Sequence, residues 1–414
     1  MRLLKKIKAG ALQIVLVVAV VIIIILFAFI SLLYVQQKLH LKNNHFKEAV
    51  YTTQQVFDYV AQVEMPQNTK DSLLFFSTKN KTVTTTKKQW GLFDVLTVKT
   101  RIKNEVFQKT GLMGASNTTR KALYLQENNK PLIVVGDTKI TGNVSLPKLG
   151  VNSGNIAGVS YNGSRFVYGN RTQSDAQIPN ILNRTAVTEF IANYANDTVD
   201  FLAIEEGFVK RLLFTQKTGV HRRNGSVELR NMVLEGHLII ESDTLIRVHA
   251  SSQLKDVILI APVIEILEGV QGNFQAFATQ QITVKENCQL AYPTTLVLFD
   301  GKEGLKNKQI SILKSSTIKG IISYISDTKE VNYKPQVFLD THAVVFGEVY
   351  CQGNLELKGT VNGSVYTNSF IANQSGGIYI NHIYNGTINA EQLPKQFSGL
   401  FLNGSSKNVA KWLD

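Results

Sequence analysis

Cysteine is scarce in this 414-residue sequence, which contains Cys288, Cys351 and no CxxC pair. This scarcity argues against a disulfide framework and a cysteine-ligated zinc site, because both need several cysteines at short spacing. Both cysteines fall at repeat positions that are predicted to face inward. We expect small buried hydrophobic residues, with a disulfide between neighbouring repeats as the alternative.

Catalytic signatures are missing as well. The sequence has no P-loop, no GxGxxG after a predicted strand, no GxSxG and no HExxH. Its seven histidines lack the spacing of metal ligands. We therefore expect a protein that is not an enzyme and that needs no cofactor or metal ion.

Charged residues are few, at 18% of the chain, whereas hydrophobic residues make up 44% and indicate a folded protein. Lys and Arg outnumber Asp and Glu by 44 to 31, which gives a formal net charge of +13. No long Lys/Arg run with interleaved aromatic residues occurs, so nucleic acid is not an expected partner. Scattered basic residues favour a solvated face, or anionic glycans or lipid head groups.

A long uncharged and mostly apolar run extends from Ala11 to Val35. As a helix it is about 37 Å long, which exceeds the ~30 Å hydrocarbon core of a bilayer. Residues 1–10 contain four Lys or Arg residues, so the positive-inside rule predicts a cytoplasmic basic leader. We predict a single-pass inner-membrane protein, with the lipid bilayer as a partner and the C-terminal domain in the periplasm or outside the cell.

A basic leader that ends in glycine precedes this run: KIKAG ends at Gly10, and ALQIVLVV starts at Ala11. This arrangement resembles the start of type IV pilins and minor pseudopilins. The resemblance implies that a prepilin peptidase cuts between Gly10 and Ala11. The family usually has Glu at the fifth mature position, where this chain has Val15. An ordinary uncleaved anchor is the alternative.

Helical spacing of apolar residues continues beyond the membrane segment, and residues 36–65 are predicted to form a helical stalk that ends before Pro66. Residues 66–135 contain short β-rich runs, which predict a small β module. Within this module, Trp90 is expected to be a core or corner residue.

Two further segments flank the main repeat. Residues 136–226 are predicted to be a glycine-rich β segment with a helical insertion, which starts with Thr185 as its N-cap and extends to Leu213. Residues 391–414 are atypical of the repeat and are predicted to form a C-terminal cap that closes the last turn. An uncapped end would expose a strand edge that pairs with another copy.

Residues 227–390 carry the main repeat, in which pairs of aliphatic residues recur at intervals of 18, 18, 28, 27, 18 and 23 residues. Eighteen residues make three six-residue sides, so we predict a mainly β protein whose C-terminal part is a parallel β-helix of about 18 residues per coil. Glycine also recurs every six residues at Gly347, Gly353 and Gly359. These glycines are expected to supply positive φ at tight corners. The pairs begin at Ile246, Ile264, Ile282, Ile310, Val337, Leu355 and Ile378.

The stretch from Gly347 to Val365, GEVYCQGNLELKGTVNGSV, resembles the bactofilins, a family of polymer-forming β-helix proteins. The resemblance implies a β-helix that assembles end to end. Other copies of the chain are then expected partners.

These features together predict a membrane-anchored structural protein of the bacterial envelope. A specific version is a minor pseudopilin-like component of a pilus or secretion machine, with envelope or secretion-machine proteins as partners. The alternative is a β-helix that binds or cleaves carbohydrate, with glycans as partners. Its candidate residues are the carboxylates on successive repeats, for which a solvated outer face is the favoured explanation: Glu241, Asp243, Glu265, Glu268 and Glu286.

Overall fold

The computed structural model describes residues 9–63, 70–72, 76–117, 120–194, 199–301, 308–327 and 333–413, so Pro66 lies outside the described residues. The chain forms two compact units. Unit 1 comprises Met1–Tyr59, Lys70–Thr85 and Val98–Gln108, and unit 2 comprises Val60–Thr69, Thr86–Thr97 and Lys109–Asp414.

The protein is mainly β, with one long apolar helix at its N-terminus. In the described part of the chain the helices are α1 (Ala9–Gln62) and α2 (Arg184–Asn193), with a short 3-10 turn at Ala390–Gln392. The strands are β1 (Lys70–Ser72), β2 (Lys81–Trp90), β3 (Phe93–Ile102), β4 (Glu105–Ser116), β5 (Leu123–Leu125), β6 (Leu132–Val135), β7 (Lys139–Thr141), β8 (Val144–Leu146), β9 (Val151–Ser153), β10 (Asn155–Ile156), β11 (Val159–Ser160), β12 (Arg171–Gln173), β13 (Val199–Phe201), β14 (Val209–Leu212), β15 (Thr218–Arg223), β16 (Val227–Leu229), β17 (Val233–Gly236), β18 (Leu238–Ser242), β19 (Leu245–Val248), β20 (Gln253–Ile260), β21 (Val263–Ile266), β22 (Gln271–Ala278), β23 (Gln281–Val284), β24 (Gln289–Asp300), β25 (Gln309–Ile312), β26 (Thr317–Ser326), β27 (Val337–Leu339), β28 (Val344–Leu357), β29 (Thr360–Gln374), β30 (Gly377–Ile380), β31 (His382–Tyr384), β32 (Thr387–Asn389) and β33 (Ser406–Leu413).

Helix α1 contains both the segment predicted to span the membrane and most of the predicted stalk. No proline interrupts it, and its aliphatic residues keep a helical backbone without strain. In the second half Ala49, Val56 and Phe57 are buried. In unit 1, Thr53 and Thr100 share a side-chain hydrogen bond of 2.8 Å, which joins α1 to β3.

An antiparallel sheet has the strand order β1-β2-β3-β4-β33. Strand β33 pairs with β4 so that Ser406 lies opposite Ser116 and Leu413 opposite Thr110. The prediction that residues 391–414 close the last repeat is therefore wrong for β33, because its backbone hydrogen bonds go to this sheet. The predicted boundary of the β module at 135 is also wrong, since β5 and β6 belong to parallel sheets.

The large parallel sheet system, which we call the parallel stack, consists of three columns of strands that the chain visits in a fixed order. Column one contains β13, β15, β18, β20, β22, β24, β26, β28, β29, β5, β8 and β12. Column two contains β16, β19, β21, β23, β25, β27, β28 and β29. Column three contains β14, β17, β20, β22, β24, β26, β28, β29, β32 and β7.

The aliphatic pairs of the sequence repeat mark column two. Successive partners in the register are Ile246, Ile264, Ile282, Ile310, Val337 and Leu355. All six are fully buried, because alternate residues of each strand point to the same side of the sheet. The seventh predicted pair is wrong: Leu355 pairs with Phe370, while Ile378 lies in a hairpin opposite Asn373 and is 54% exposed.

Column one is apolar on both faces. The outward side chains of Ile258, Phe277 and Tyr350 belong to a second hydrophobic cluster that includes Trp90 and Val187. Trp90 is 3% exposed and donates its indole N–H to the Asp256 carbonyl at 3.4 Å. The sequence prediction of a core tryptophan is confirmed.

The first and last parallel strands of the chain meet in the stack. In column one, Val365 of β29 pairs with Leu123 of β5. In column three, Val361 pairs with Ile388, and Ile388 pairs with Ile140 of β7. Strands β5, β7, β8 and β12 therefore stack on the C-terminal end of the repeat, although they precede the repeat in the sequence.

The predicted helix from Thr185 to Leu213 is largely wrong. Helix α2 ends at Asn193, and its N-cap is Asn183. Residues 199–201 and 209–212 form β13 and β14, which pair with β15 and β17. Backbone pairing with strands that follow later in the chain overrides the local apolar spacing here.

The three regularly spaced glycines differ in backbone conformation. Gly347 has a φ of +152°, whereas Gly353 and Gly359 lie outside the left-handed region. A Cβ atom on Gly347 would lie 1.8 Å from the Gly320 carbonyl oxygen, and one on Gly359 would lie 2.3 Å from the Ala343 carbonyl oxygen. Close approach of neighbouring strands therefore requires glycine at positions 347 and 359, and positive φ adds to this only at Gly347.

We predict that Gly347→Ala destabilises unit 2 by about 3 kcal/mol, because it combines a backbone clash with an unfavourable φ. Gly376→Ala is the matched control, since Gly376 has a φ of +78° but open space around its Cβ position. The control should cost only ~1 kcal/mol. Urea unfolding followed by far-UV circular dichroism measures both. Equal losses in the two variants would contradict the crowding argument.

Candidate assembly surfaces

The first candidate surface is the apolar half of α1. In the described part of the chain, α1 is the one helix long and apolar enough to cross a membrane. Its side chains from Gly10 to Asn44 are all exposed, including Ile22 at 50% and Phe27 at 74%. A soluble monomer rarely leaves so much contiguous apolar surface in water. We therefore expect lipid or other apolar helices to surround this surface.

The predicted processing site lies in the first turn of α1. Gly10 and Ala11 are helical and exposed, and a Cβ atom on Gly10 would have no neighbour within 4 Å. Val35, the predicted end of the membrane segment, is 47% exposed and lies within the same helix. The anchor is thus one continuous helix across both predicted boundaries.

The parallel stack has two ends. At one end, β13 pairs with β15 and β14 with β17, and no described strand covers their outer edges. At the other end, β12 pairs with β8, and its outer edge is likewise uncovered in the described part of the chain. We call these the β13/β14 end and the β12 end.

Exposed apolar residues mark the β13/β14 end. Phe201, Val209 and Leu213 are 65%, 55% and 49% exposed. Residues 199–217 carry the carboxylates Asp200, Glu205 and Glu206 and the cations Lys210, Arg211 and Lys217, and Lys217 lies 3.8 Å from Asp200. Exposed apolar side chains beside unpaired strand edges are typical of a surface that pairs with another chain.

Basic residues mark the β12 end. Arg171, Thr172 and Gln173 of β12 are exposed, and residues 161–173 contain Arg165 and Arg171 but no carboxylate. The nearby Tyr168 is 37% exposed. The β12 end is therefore basic, whereas the charges at the β13/β14 end balance.

The carboxylates proposed for carbohydrate chemistry are mostly bound to neighbouring groups. Glu265 accepts a hydrogen bond from Arg247 at 2.7 Å, and Asp243 accepts one from the Gly225 backbone N–H at 2.6 Å. Glu241 accepts hydrogen bonds from Arg222 and Tyr194. Burial and then the bond to Glu241 raise the pKa of Tyr194 to about 12.

Glu268 and Glu286 lie in adjacent turns, where the Gly269 N–H donates to the Glu286 carbonyl at 3.1 Å and Asn287 donates to the Glu268 carboxylate at 3.1 Å. Among the described residues, no group of His, Cys, Asp or Glu has the arrangement of a metal site. These contacts stabilise turns and ladders, and they provide no support for the carbohydrate alternative.

Both cysteines are free and buried, as the sequence predicted. Burial raises the pKa of Cys351 to about 12. Cys288 donates to the Leu267 carbonyl at 3.1 Å. Neither thiol is placed to act as a nucleophile, because the thiolate that reacts is strongly disfavoured in such surroundings.

Sequence reasoning missed the most perturbed acid, Glu348. This side chain is 4% exposed and accepts a hydrogen bond from the Leu400 backbone N–H at 2.7 Å. Burial raises its pKa to about 7, against the opposing effects of the Leu400 N–H and Arg120. Its position in VVFGEVYC was a signal, because an acid there interrupts an otherwise apolar strand. Since the segment around Leu400 covers it, Glu348 is a structural acid.

Comparisons with known proteins add little. No protein-family model matches the chain, and no curated protein matches it. The crystal structure of the competence-associated pilin ComZ from Thermus thermophilus is 11% identical, and the alignment covers 86% of this chain and 88% of that one. Its TM-score is 0.18, which does not establish a shared fold, so the functional proposal has to be argued from the chain's own features.

We predict that Glu348→Gln removes a pH dependence of stability. The folded-state pKa of about 7 exceeds the ordinary value of 4.5, so folding favours the protonated carboxyl. Its contribution is fully present below about pH 4.5 and is lost as the pH rises through about 7. The loss amounts to roughly 3 kcal/mol.

Urea unfolding of the two proteins across this pH range tests the prediction. Glu348→Gln should be the more stable protein at about pH 8, because a neutral amide still accepts the Leu400 N–H. The exposed Glu391 provides the control: Glu391→Gln should keep the parental pH profile. An unchanged profile in Glu348→Gln would contradict the assignment.

Proposed function

We propose that this chain is a membrane-anchored structural protein of the bacterial envelope, in which α1 spans the inner membrane and unit 2 is a parallel β-helix on the far side. The specific version is a minor pseudopilin-like subunit of a pilus or secretion machine. The observation that carries the proposal is the uncovered apolar half of α1.

The free energy of burying its apolar side chains favours a bilayer or a helix bundle around α1. Burying one Val, Leu or Ile side chain is worth about 1.5–3 kcal/mol. The run from Ala11 to Val35 consists almost entirely of such residues and is exposed throughout. Leaving it in water would cost tens of kcal/mol, more than the whole stability of a typical domain.

The three columns support the β-helix. The chain visits column three, column one and column two in that order, and the column-two partners recur after 18, 18, 28, 27 and 18 residues. A chain that returns to the same three sides in the same order winds as a helix of strands. Repeats of this kind bury a continuous core only when they stack.

The ends of the β-helix support assembly. All strands of the stack run in the same direction, so the edge at the β12 end fits the edge at the β13/β14 end of a second copy as a parallel strand pair. The apolar side chains exposed at the β13/β14 end favour the same head-to-tail contact, because a second copy would cover them. A heterologous contact of this kind builds open filaments.

Pilin-type processing is tested first. Co-expression of the full chain with a prepilin peptidase should give a mature protein that begins at Ala11, measured by intact mass and N-terminal sequencing. Gly10→Leu should stay uncut, because the resemblance assigns cleavage to the glycine that ends the leader. A parental chain that retains Met1 would remove the pilin version and leave an uncleaved anchor.

Head-to-tail assembly is tested by changing one end. Phe201→Lys with Val209→Lys removes exposed apolar surface and places cations where the basic β12 end would dock. We expect at least tenfold weaker self-association by analytical ultracentrifugation of the full chain in mild detergent, since each change removes about 1 kcal/mol or more. The control is Leu182→Lys, at a residue that is 60% exposed elsewhere. Equal association of both variants would contradict the proposed contact.

A further inference from the structure

The fold of unit 1 brings together basic residues that are far apart in the sequence. They are two lysines of α1, two that flank the turn before β2, and two residues at the turn between β3 and β4. We call this group the basic edge, and it consists of Lys38, Lys42, Lys79, Lys81, Arg101 and Lys103.

Backbone hydrogen bonds hold the two turns of the basic edge side by side. Thr78 and Lys81 exchange N–H···O bonds of 2.7 and 3.1 Å, which closes the turn that carries Lys79. The Lys103 N–H donates to the Asn80 carbonyl at 3.0 Å, so the second turn lies against the first. The positions of these cations are therefore set by backbone contacts as well as by side chains.

Contacts within unit 1 also fix the two turns against α1. Lys42 lies 3.8 Å from Glu105, and Lys81 lies 3.6 Å from Glu48. One turn of helix further along, the rings of Phe46 and Phe107 are 5.7 Å apart. Since Glu105 lies nearer than Phe107 to the N-terminus of α1, the β3–β4 turn points toward the membrane segment.

The height of the basic edge above the bilayer follows from helix geometry. Lys42 is seven residues beyond Val35, which is about 10 Å along the helix. Each headgroup layer is roughly 5–8 Å thick, and the Debye length at physiological ionic strength is about 8 Å. The part of the basic edge at Lys42 thus lies within one Debye length of the lipid headgroups, and the turn that Lys81 fixes at Glu48 lies further out.

The charge of this region is strongly positive. Beyond Val35, the described part of unit 1 contains nine Lys or Arg residues and four carboxylates, Glu48, Asp58, Asp71 and Glu105. Two of these carboxylates already face Lys81 and Lys42. The other cations of the basic edge are exposed and therefore available to an anionic surface.

An open cleft beside the basic edge suits a phosphodiester. It has a volume of about 260 Å³ and is lined by Thr82, Thr84, Lys99 and Arg101. Hydroxyl groups and cations together are the donors that phosphate oxygens accept from in charge-assisted hydrogen bonds. Because side chains alternate along a strand, these residues project to the face opposite Thr100, which contacts α1.

We propose that the basic edge binds the headgroups of anionic phospholipids and holds unit 1 against the membrane surface. The proposal rests on the membrane anchor of the proposed function and is independent of pilus assembly. Each cation near an anionic bilayer adds about 1 kcal/mol of attraction, so the exposed members together are sufficient to select a docked orientation.

The test uses the full chain in lipid nanodiscs of two compositions, phosphatidylcholine alone or phosphatidylcholine with phosphatidylglycerol. Asn104→Cys places an exposed thiol in the β3–β4 turn, and the two native cysteines are buried, so a fluorescent label reports on this turn. Quenching by acrylamide, which is uncharged, measures how far the turn is withdrawn from water. Co-elution with the neutral nanodisc tests the anchor separately.

The basic-edge variant combines Lys38→Gln, Lys79→Gln, Arg101→Gln and Lys103→Asn. It keeps both ion pairs to α1, and asparagine tolerates the φ of +51° at residue 103. The matched control removes four exposed cations of unit 2 through Lys130→Gln, Arg230→Gln, Lys314→Gln and Lys319→Gln. Equal quenching of all proteins in neutral nanodiscs verifies that the labelled turn is intact.

We expect severalfold weaker quenching in the anionic nanodisc for the parent and the control. The basic-edge variant should lose this protection, with the docked population falling roughly fivefold for each cation removed. About 1 M salt should abolish protection in every protein, because the Debye length falls to ~3 Å. Protection that is absent in the parent, persists in the basic-edge variant or survives high salt would overturn the proposal.

Discussion

The parallel stack depends on backbone hydrogen bonds between β29 and β5, which join the C-terminal part of the repeat to the first parallel strand of the chain. The Val365 N–H donates to the Ala122 carbonyl at 2.9 Å, and the Gln126 N–H donates to the Thr367 carbonyl at 3.0 Å. Without them β29 would present a bare edge in column one, and β5, β8 and β12 would lack the strand on which they stack. Unpaired strand edges tend to pair with other chains. This junction therefore also limits the places at which the molecule has unpaired strand edges.

The buried residues of column two could be predicted from the sequence because the pattern that identifies them lies within short stretches of the chain. Ile264, Ile282 and Ile310 repeat a simple pattern, and side chains on one side of stacked strands must all be apolar. The long apolar helix could be predicted for the same reason, since length and hydrophobicity alone identify it. The anchor and much of the parallel repeat could therefore be predicted.

Other features depend on contacts between residues that are far apart in the sequence, so they could not be predicted from the sequence. Residues 199–201 and 209–212 have the spacing of a helix, but β15 and β17 offer them backbone partners, and pairing decides their conformation. Ile378 fits the repeat by composition, yet the turn at Ser375 and Gly376 reverses the chain into a hairpin. The basic edge is also invisible in the sequence, because Lys38, Lys79 and Lys103 become neighbours only when the turns meet.

The candidate surfaces divide in a similar way. The long exposed apolar helix lies in the segment that the sequence predicted to be one, whereas the two ends of the stack were identified only once the strand order was known. Glu348 illustrates the intermediate case, since the sequence places an acid in an apolar strand but does not name Leu400 as the group that covers it.

The junction of β29 with β5 has a consequence for the order of folding. Leu123 and Val365 are 242 residues apart, and contacts between such distant residues form slowly because a long loop must close first. When the chain is delivered from its N-terminus, β5 is available early and β29 late. The middle of the stack can therefore form before the layer that joins β29 to β5 is complete. That layer is therefore complete only when nearly the whole chain has been delivered. A chain truncated before β29 keeps an exposed strand edge.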